Sequence, residues 1–451
     1  MIHPIVMPAM LILLGLCGSA PAAGETYTLS AGADDTRVFS VTSRVTVDGH
    51  LETSLGGGKA QALKLHVEAS FRHRERRLSG AGRNAAAYRA LRIYDRADAV
   101  IKVSQQSLSS RLRPKRRLIV AQGRRSGLIL YSPRGMLTGN EIELLDGPGD
   151  SLAMPALLPP RAVAVGDVWS PENWVIQMLT GTDAVLKSRL ECKLESVRTD
   201  VARITFQGNL KGAVDGAATK IKLSGHLTYN VRQRFITGWE LIQTEKTSVG
   251  PVSPGLDVTA KVIAKQTPAP EPGPLTDALV GTIPLEPKPE QMLLVFRSPM
   301  NIQFPYDRHW HIFHQTGKLA VLRLLKKGSL IAQCNLRAVT SAAPGQHTSE
   351  QQFQADIREA LGANLKAITK AEQLKVADGR FLYRVTAQGT SNGIEMDWIY
   401  YLCAAPSGRQ VSLVFSVETK LREKLTNRDL EIVSKLRFLD PKQSPVPAAS
   451  E

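Results

Sequence analysis

Residues 219 to 232 read TKIKLSGHLTYNVR, and Ile221, Leu223, Leu227, Tyr229 and Val231 alternate with polar neighbours. A period of two puts one set on a buried face and the other on a wet face, which predicts a half-buried strand. The same alternation runs through Arg37 to Leu51, Ala62 to Arg74, Ala99 to Ser104, Leu186 to Ser196, Ala202 to Leu210 and Gly238 to Thr247. Asp48-Gly49, Gly56-Gly57-Gly58, Asp215-Gly216 and Thr237-Gly238 read as hairpin connections. Long strands joined by short turns predict a large antiparallel sheet, curved or closed. One interruption is expected, a short helix over Asn84 to Arg96 carrying Tyr88, Leu91 and Ile93.

Downstream, Thr267 to Pro274 reads TPAPEPGP, and Pro284, Pro287 and Pro289 continue the theme. Residues 266–291 therefore read as a stiff linker between a β-rich domain, 24–265, and a second domain, 292–440. In that second domain Met292 to Phe296, His309 to Phe313, Leu319 to Leu325, Leu330 to Ala338, Arg380 to Gly389, Glu395 to Ala404 and Gln410 to Val417 read as strands. Phe353, Ile357 and Leu361 recur every four residues across Ser349 to Leu361, a helix that Gly362 is placed to end in left-handed geometry. A second helix is predicted over Asn427 to Leu436, with Thr426 and Asp429 arranged like a capping box. The fold class is α+β: a large curved antiparallel sheet, then an antiparallel sheet packed by helices. Residues 441–451 read as a disordered tail.

Trp310-His311-Ile312, Ala332-Gln333-Cys334-Asn335-Leu336, Asp378-Gly379-Arg380-Phe381, Trp398-Ile399-Tyr400-Tyr401 and the ending Arg428-Asp429 to Arg437-Phe438 carry a resemblance. Over Met292 to Leu439 the chain resembles the PsbP-like fold. That resemblance implies a binding or assembly-support protein and structural places for Trp310, His311 and Trp398. The first half is similar to secreted bacterial β-rich domains of unknown function, on Leu157-Leu158-Pro159-Pro160 and Val165-Gly166-Asp167-Val168-Trp169. There Gly166-Asp167 makes a tight turn and Trp169 caps the edge or mouth of the sheet.

Ile5 to Leu16 is an apolar run of signal-peptide length, and Ser19-Ala20-Pro21-Ala22-Ala23 supplies a cleavage site near Ala22 or Ala23. Export to the periplasm or beyond is the expectation. Leu16 before Cys17 does not suit a lipidation signal, and no later run is long enough for a transmembrane helix. Cys192, Cys334 and Cys403 have no metal-type spacing. Buried free thiols are favoured over a Cys334–Cys403 pair.

Of the net charge of +16, most falls between Arg72 and Arg134, where seventeen Lys or Arg face Glu75, Asp95 and Asp98. Arg72, Arg74, Arg76 and Arg77, then Arg111, Arg113, Lys115, Arg116 and Arg117, then Arg124 and Arg125 form its clusters. Such a face could hold an acidic polymer or anionic lipid, although no nucleic-acid motif accompanies it and a solvated face is the commoner meaning. His309, His311 and His314 form the one histidine cluster, and structural roles are favoured there over metal. No G-x-S-x-G, P-loop, H-E-x-x-H or C-x-x-C occurs, so no catalytic residue and no cofactor is nominated. An enzyme would need a cleft gathering His309, His311 and a carboxylate. The expectation is an exported non-catalytic protein that binds an unidentified protein or envelope component. One alternative is a carrier of an apolar ligand, a lipid, inside the curved sheet; another is polyanion binding through residues 72–134.

Overall fold

In the computed structural model, residues 25–30, 35–53, 61–78, 84–284, 286–376 and 378–440 are described. The signal-peptide segment, Cys17, the Gly56-Gly57-Gly58 turn and the 441–451 tail lie outside them. The strands of the first half are β1 (Thr26–Tyr27), β2 (Val38–Thr53), β3 (Gln61–Leu78), β4 (Arg89–Val103), β5 (Gln106–Arg111), β6 (Leu118–Arg124) and β7 (Gly127–Tyr131). After α1 (Gly139–Leu145) come β8 (Val163–Ala164), β9 (Val168–Trp169) and α2 (Asn173–Thr180). The half closes with β10 (Ala184–Arg198), β11 (Val201–Val214), β12 (Ala217–Asn230), β13 (Phe235–Thr247) and β14 (Gly255–Pro268).

Apart from the small β1–β8 pair, these strands form one open sheet in the order β7-β6-β4-β3-β2-β14-β13-β12-β11-β10-β9, with β5 on the far part of β4. Every pairing is antiparallel, as the alternation requires. In the stretch 219–232, Ile221, Leu223, Leu227 and Tyr229 are all buried. The sheet is joined in its middle by β2 and β14, its first and last long strands. Gly49 sits at that seam because a Cβ there would lie 2.1 Å from the Asp257 carbonyl oxygen.

Several local expectations are corrected. Asn84 to Arg96 is not a helix: after a single 3-10 turn at Ala85–Ala87 the chain enters β4. Both faces of β4 are covered, with Ala90 and Tyr94 in the main core and Leu91 in a second cluster, so its pattern lacks the polar face that marks a strand. Asp48-Gly49 lies inside β2, and Thr237-Gly238 inside β13 beside a register shift at Thr228/Tyr229. Asp215-Gly216 is the β11–β12 turn, as expected.

The Pro-rich stretch is seated on the first half. Thr267 and Pro268 finish β14, and Leu275 is fully buried against Val38, Leu78, Leu91, Leu118, Val120 and Tyr131. Arg76 donates to the Leu275 carbonyl at 2.9 Å and pairs with Asp277, at the start of α3 (Asp277–Gly281). Arg89 donates to the Pro284 carbonyl at 2.7 Å, and Arg124 pairs with Glu286. Gly273, at φ +56, lies under the Arg74 guanidinium, where a side chain would collide.

Following α4 (Pro289–Met292), a small sheet joins β15 (Leu294–Ser298) and β16 (Ile302–Tyr306). The larger sheet contains β17 (Trp310–Gln315), β18 (Leu319–Lys326), β19 (Ser329–Val339), β20 (Leu365–Gln373), β21 (Phe381–Ser391), β22 (Ile394–Ala404) and β23 (Gln410–Glu418), in the order β17-β18-β19-β23-β22-β21-β20. β24 (Arg437–Phe438) completes the small sheet. α5 (Glu350–Leu361), capped by Ser349, lays Phe353, Ile357 and Leu361 on Tyr383, Val385, Trp398 and Tyr400. Gly362 ends it at φ +49 but with ψ −128, so the exit is not left-handed helical. After α6 (Arg422–Leu425), α7 (Arg428–Ser434) buries Ile432 and Val433 with Tyr401, Leu413 and Phe415. Its expected capping box is absent: Thr426 donates to the Leu425 carbonyl, while Asp429 accepts from the Tyr401 hydroxyl at 2.8 Å.

Cys192, Cys334 and Cys403 are buried free thiols, and β23 separates the strands of the last two. Burial pushes the Cys403 thiol up to about 12. Side chains of both halves meet in one buried cluster. Val295 donates to the Leu137 carbonyl at 2.8 Å, and Arg308 to that of Leu130 at 2.8 Å. No helix among the described residues is long and apolar enough to cross a membrane.

Candidate functional site: an apolar cavity with a polar end

The odd-numbered residues 41–47 of β2 and 67–73 of β3 border the same cavity as Asn140, Glu143, Leu144 and Leu145 of α1. Val41, Val45 and Val67, with Phe71, line a cavity of about 510 Å3 between those strands, β4, β5 and the 140–151 segment. The opposite wall is held in place. Thr138 and Glu141 cap α1 reciprocally, at 3.3 and 2.9 Å, and the Trp239 indole donates to the Gly149 carbonyl at 3.0 Å.

Farther along β3 the same face becomes polar. His73 stands opposite Tyr94, their rings 4.7 Å apart, and Glu75 stands opposite Arg92. Arg92 is buried and donates Nε to Glu75 at 2.8 Å, both terminal nitrogens to Asp150 at 2.8 and 2.5 Å, and Nη2 to Ser151 at 3.0 Å. Ser151 in turn donates to Glu75 at 2.5 Å. Burial opposes ionisation of Glu75, but the Arg92 charge prevails and holds its carboxyl well below the usual range. His73 is 5% exposed, and neither ring nitrogen has a hydrogen-bond partner. Burial pushes its pKa down, so the ring is neutral and offers one donor and one acceptor.

The basic residues named from sequence are not one free face. Arg76, Arg77, Arg113 and Arg124 face carboxylates of this chain, Asp277, Glu75, Glu141 and Glu286 respectively. Arg116 donates to the Met136 carbonyl at 2.9 Å, and Arg74 lies over Gly273. Arg72, Arg111, Lys115, Arg117 and Arg125 are exposed. Arg113→Gln is therefore expected to cost about 1.5–3 kcal/mol, because buried Glu141 loses its charged donor. Lys115→Gln combined with Arg117→Gln should stay within about 0.5 kcal/mol. Urea unfolding compares the two, and equal losses would contradict this division.

The histidines do not converge. His309 contacts Asp307 at 3.1 Å, His311 approaches Asp215 of the first half at 3.9 Å, and His314 is exposed. Among the described residues no group of three or more His, Cys, Asp or Glu could hold a metal ion. Trp169 lies on the edge strand β9, its indole donating to the Leu157 carbonyl at 2.9 Å, and it lines a second cavity of about 440 Å3 with Trp174 and Arg77. Trp310 packs edge-on against Phe415, and Trp398 lies under α5.

His73, Glu75, Arg92, Asp150 and Ser151 were not singled out from sequence. The available signal was the alternation His73-x-Glu75-x-Arg77 continuing the face of Val67, Ala69 and Phe71, paired in the sheet with Arg92-x-Tyr94. Reading Arg92 as part of a helix and of a basic stretch hid it.

No protein-family model and no curated protein matches this chain. Cyanobacterial PsbP (CyanoP) from Synechocystis sp. PCC 6803 is similar over 33% of this chain and 92% of its own, at 15% identity and a TM-score of 0.26. A Bacteroides thetaiotaomicron protein matches 33% of this chain at 10% identity and a TM-score of 0.25, and this chain spans about half of it, 49%. A structure of lipid-protein interactions in lipovitellin is similar over 52% of this chain and 26% of its own, at 7% identity and a TM-score of 0.31.

Proposed function

We propose that this chain is an exported, non-catalytic binding protein whose first half holds an apolar ligand on the concave side of a curved sheet. The observation that carries this reading is the 510 Å3 cavity walled by Val41, Val45, Val67 and Phe71. Small-molecule sites span roughly 300–1,000 Å3 and are lined mainly by apolar side chains. Each methylene buried there contributes about 0.8 kcal/mol. Curvature is supported by α2, which packs against β7 near one end of the sheet and β10 near the other. The second half is then the module that meets an envelope partner.

An apolar fluorophore, N-phenylnaphthylamine, should brighten on titration with the protein and saturate at one equivalent. Ala69→Phe adds a ring into the cavity and should weaken that binding by about tenfold or more, with the far-ultraviolet circular dichroism retained. No saturable binding by the unaltered protein would refute the reading.

A further inference from the structure

We propose that a cavity between the two halves binds a phosphate monoester, its phosphate held by Arg437, Lys435 and Lys375 and its carbon body lying on Val295 and Leu436. The site is separate from the apolar cavity of the first half and does not depend on the apolar-ligand proposal. It measures about 620 Å3 and is walled by β15, β16, β24, the end of α7 and, from the first half, Met136. Three segments far apart in sequence bring cations to it. Arg297 lies opposite Gln303, and Gln303 opposite Arg437, so the three side chains stand in one row on the same face of the small sheet, about 4.8 Å from one strand to the next. Lys435 follows α7, and Lys375 follows β20. Arg437, Lys435 and Lys375 are exposed and line the cavity, so an arriving group can reach them.

Charge decides the ligand class. Arg380, a further cation of the lining, is already committed: it donates to Asp378 at 2.7 Å and to the Ser434 carbonyl at 3.0 Å, which fastens the end of α7. Among the described residues, Arg297, Arg437, Lys435 and Lys375 have no ion pair and no side-chain hydrogen bond. Arg116, held on the Met136 carbonyl, adds to the same field: burial pushes its pKa down, and the Arg113 and Arg297 charges push it the same way against Glu141. Like charges gathered around a concave surface focus attraction for an anion there. A carboxylate brings one charge and two oxygens to these four cations. A phosphate monoester brings about 1.5–2 charges and three acceptor oxygens, and its geometry suits a guanidinium fork. Val295 and Leu436, both buried, give the cavity an apolar floor that a bare ion would leave uncovered.

Isothermal titration of the full chain with hexyl phosphate should show saturable binding at one equivalent, and hexanoate and hexanol should bind at least about tenfold more weakly. Lys435→Gln combined with Arg437→Gln should weaken hexyl phosphate by about tenfold or more, with thermal melting unchanged because both side chains are exposed. Lys211→Gln combined with Lys220→Gln removes the same charge from exposed positions on β11 and β12 and should leave binding within about twofold. Sedimentation with phosphatidylcholine vesicles containing phosphatidate separates the two sources of the phosphate. Vesicles that carry down the unaltered chain but not the Lys435→Gln, Arg437→Gln chain assign the group to a lipid, whereas hexyl phosphate binding without vesicle binding assigns it to a free ester. Either result supports the site. No saturable binding of hexyl phosphate by the unaltered chain, hexanoate binding as tightly, or equal weakening by the two double substitutions would overturn it.

Discussion

Arg92→Met is expected to destabilise the protein by about 3–5 kcal/mol, the usual result of removing one partner from a buried ionic cluster. Met fills much of the same space, so the loss is electrostatic more than a cavity effect. Glu75, fully buried, would keep only the Ser151 hydroxyl and the distant Arg77 and His73 as partners. Asp150 would lose two charge-assisted hydrogen bonds. The pH dependence follows in sign. Because Glu75 has a depressed pKa in the folded protein, its contribution is present above the ordinary glutamate value and is lost as pH falls through the folded one. The gap between the unaltered protein and Arg92→Met should therefore narrow on acidification. Urea unfolding at neutral and acidic pH measures both effects. Adding Glu75→Gln and Asp150→Asn to Arg92→Met should recover only part of the loss, since the two carboxylates are then neutral but Arg77 loses the Glu75 charge beside it. A loss below about 1 kcal/mol at neutral pH would show that the cluster is hydrated or rearranged.

The second large effect is at Leu275. Leu275→Ala should cost about 2–5 kcal/mol, the range for truncating a fully buried leucine. It should also change proteolysis in a position-specific way. Leu275 and the Arg76, Arg89 and Arg124 contacts hold residues 269–284 and Glu286 against β3, β4 and β6. With the leucine gone, cuts between Pro268 and Gln291 should appear at a protease concentration that leaves the unaltered chain intact. Equal susceptibility of both chains would mean that the segment is not fastened through Leu275.

How far the sequence could be read depends on which faces are wet. In β10 to β13 one face meets solvent, so Ile221, Leu223 and Leu227 announce their strands. In β4 both faces are covered, one by the cavity side and one by the proline-rich segment, and the pattern resembles a helix as much as a strand. β14 was not read as a strand although Val258, Ala260, Val262 and Ala264 alternate in it, and the boundary drawn after residue 265 cut its last three residues from the sheet. The site was hidden for a related reason. Arg92 and Glu75 lie seventeen residues apart and meet only through strand register, which single-chain charge counting cannot see. α5 was legible because its apolar stripe, its serine cap and its terminal glycine are all local.

The seam between β2 and β14 sets an order in time. β2 is made early and is flanked at once by β3, but its other edge stays open until the last long strand of the half has been synthesised. Until then two separate meanders exist, each with an unpaired hydrogen-bonding edge, and closing the seam requires the longest loop closure in the sheet. An unjoined β2 edge is a template for pairing with another copy of the chain. Any truncation ending before Gly255 leaves that edge bare permanently, so such fragments should be made and handled as aggregation-prone material, whatever the stability of the finished protein.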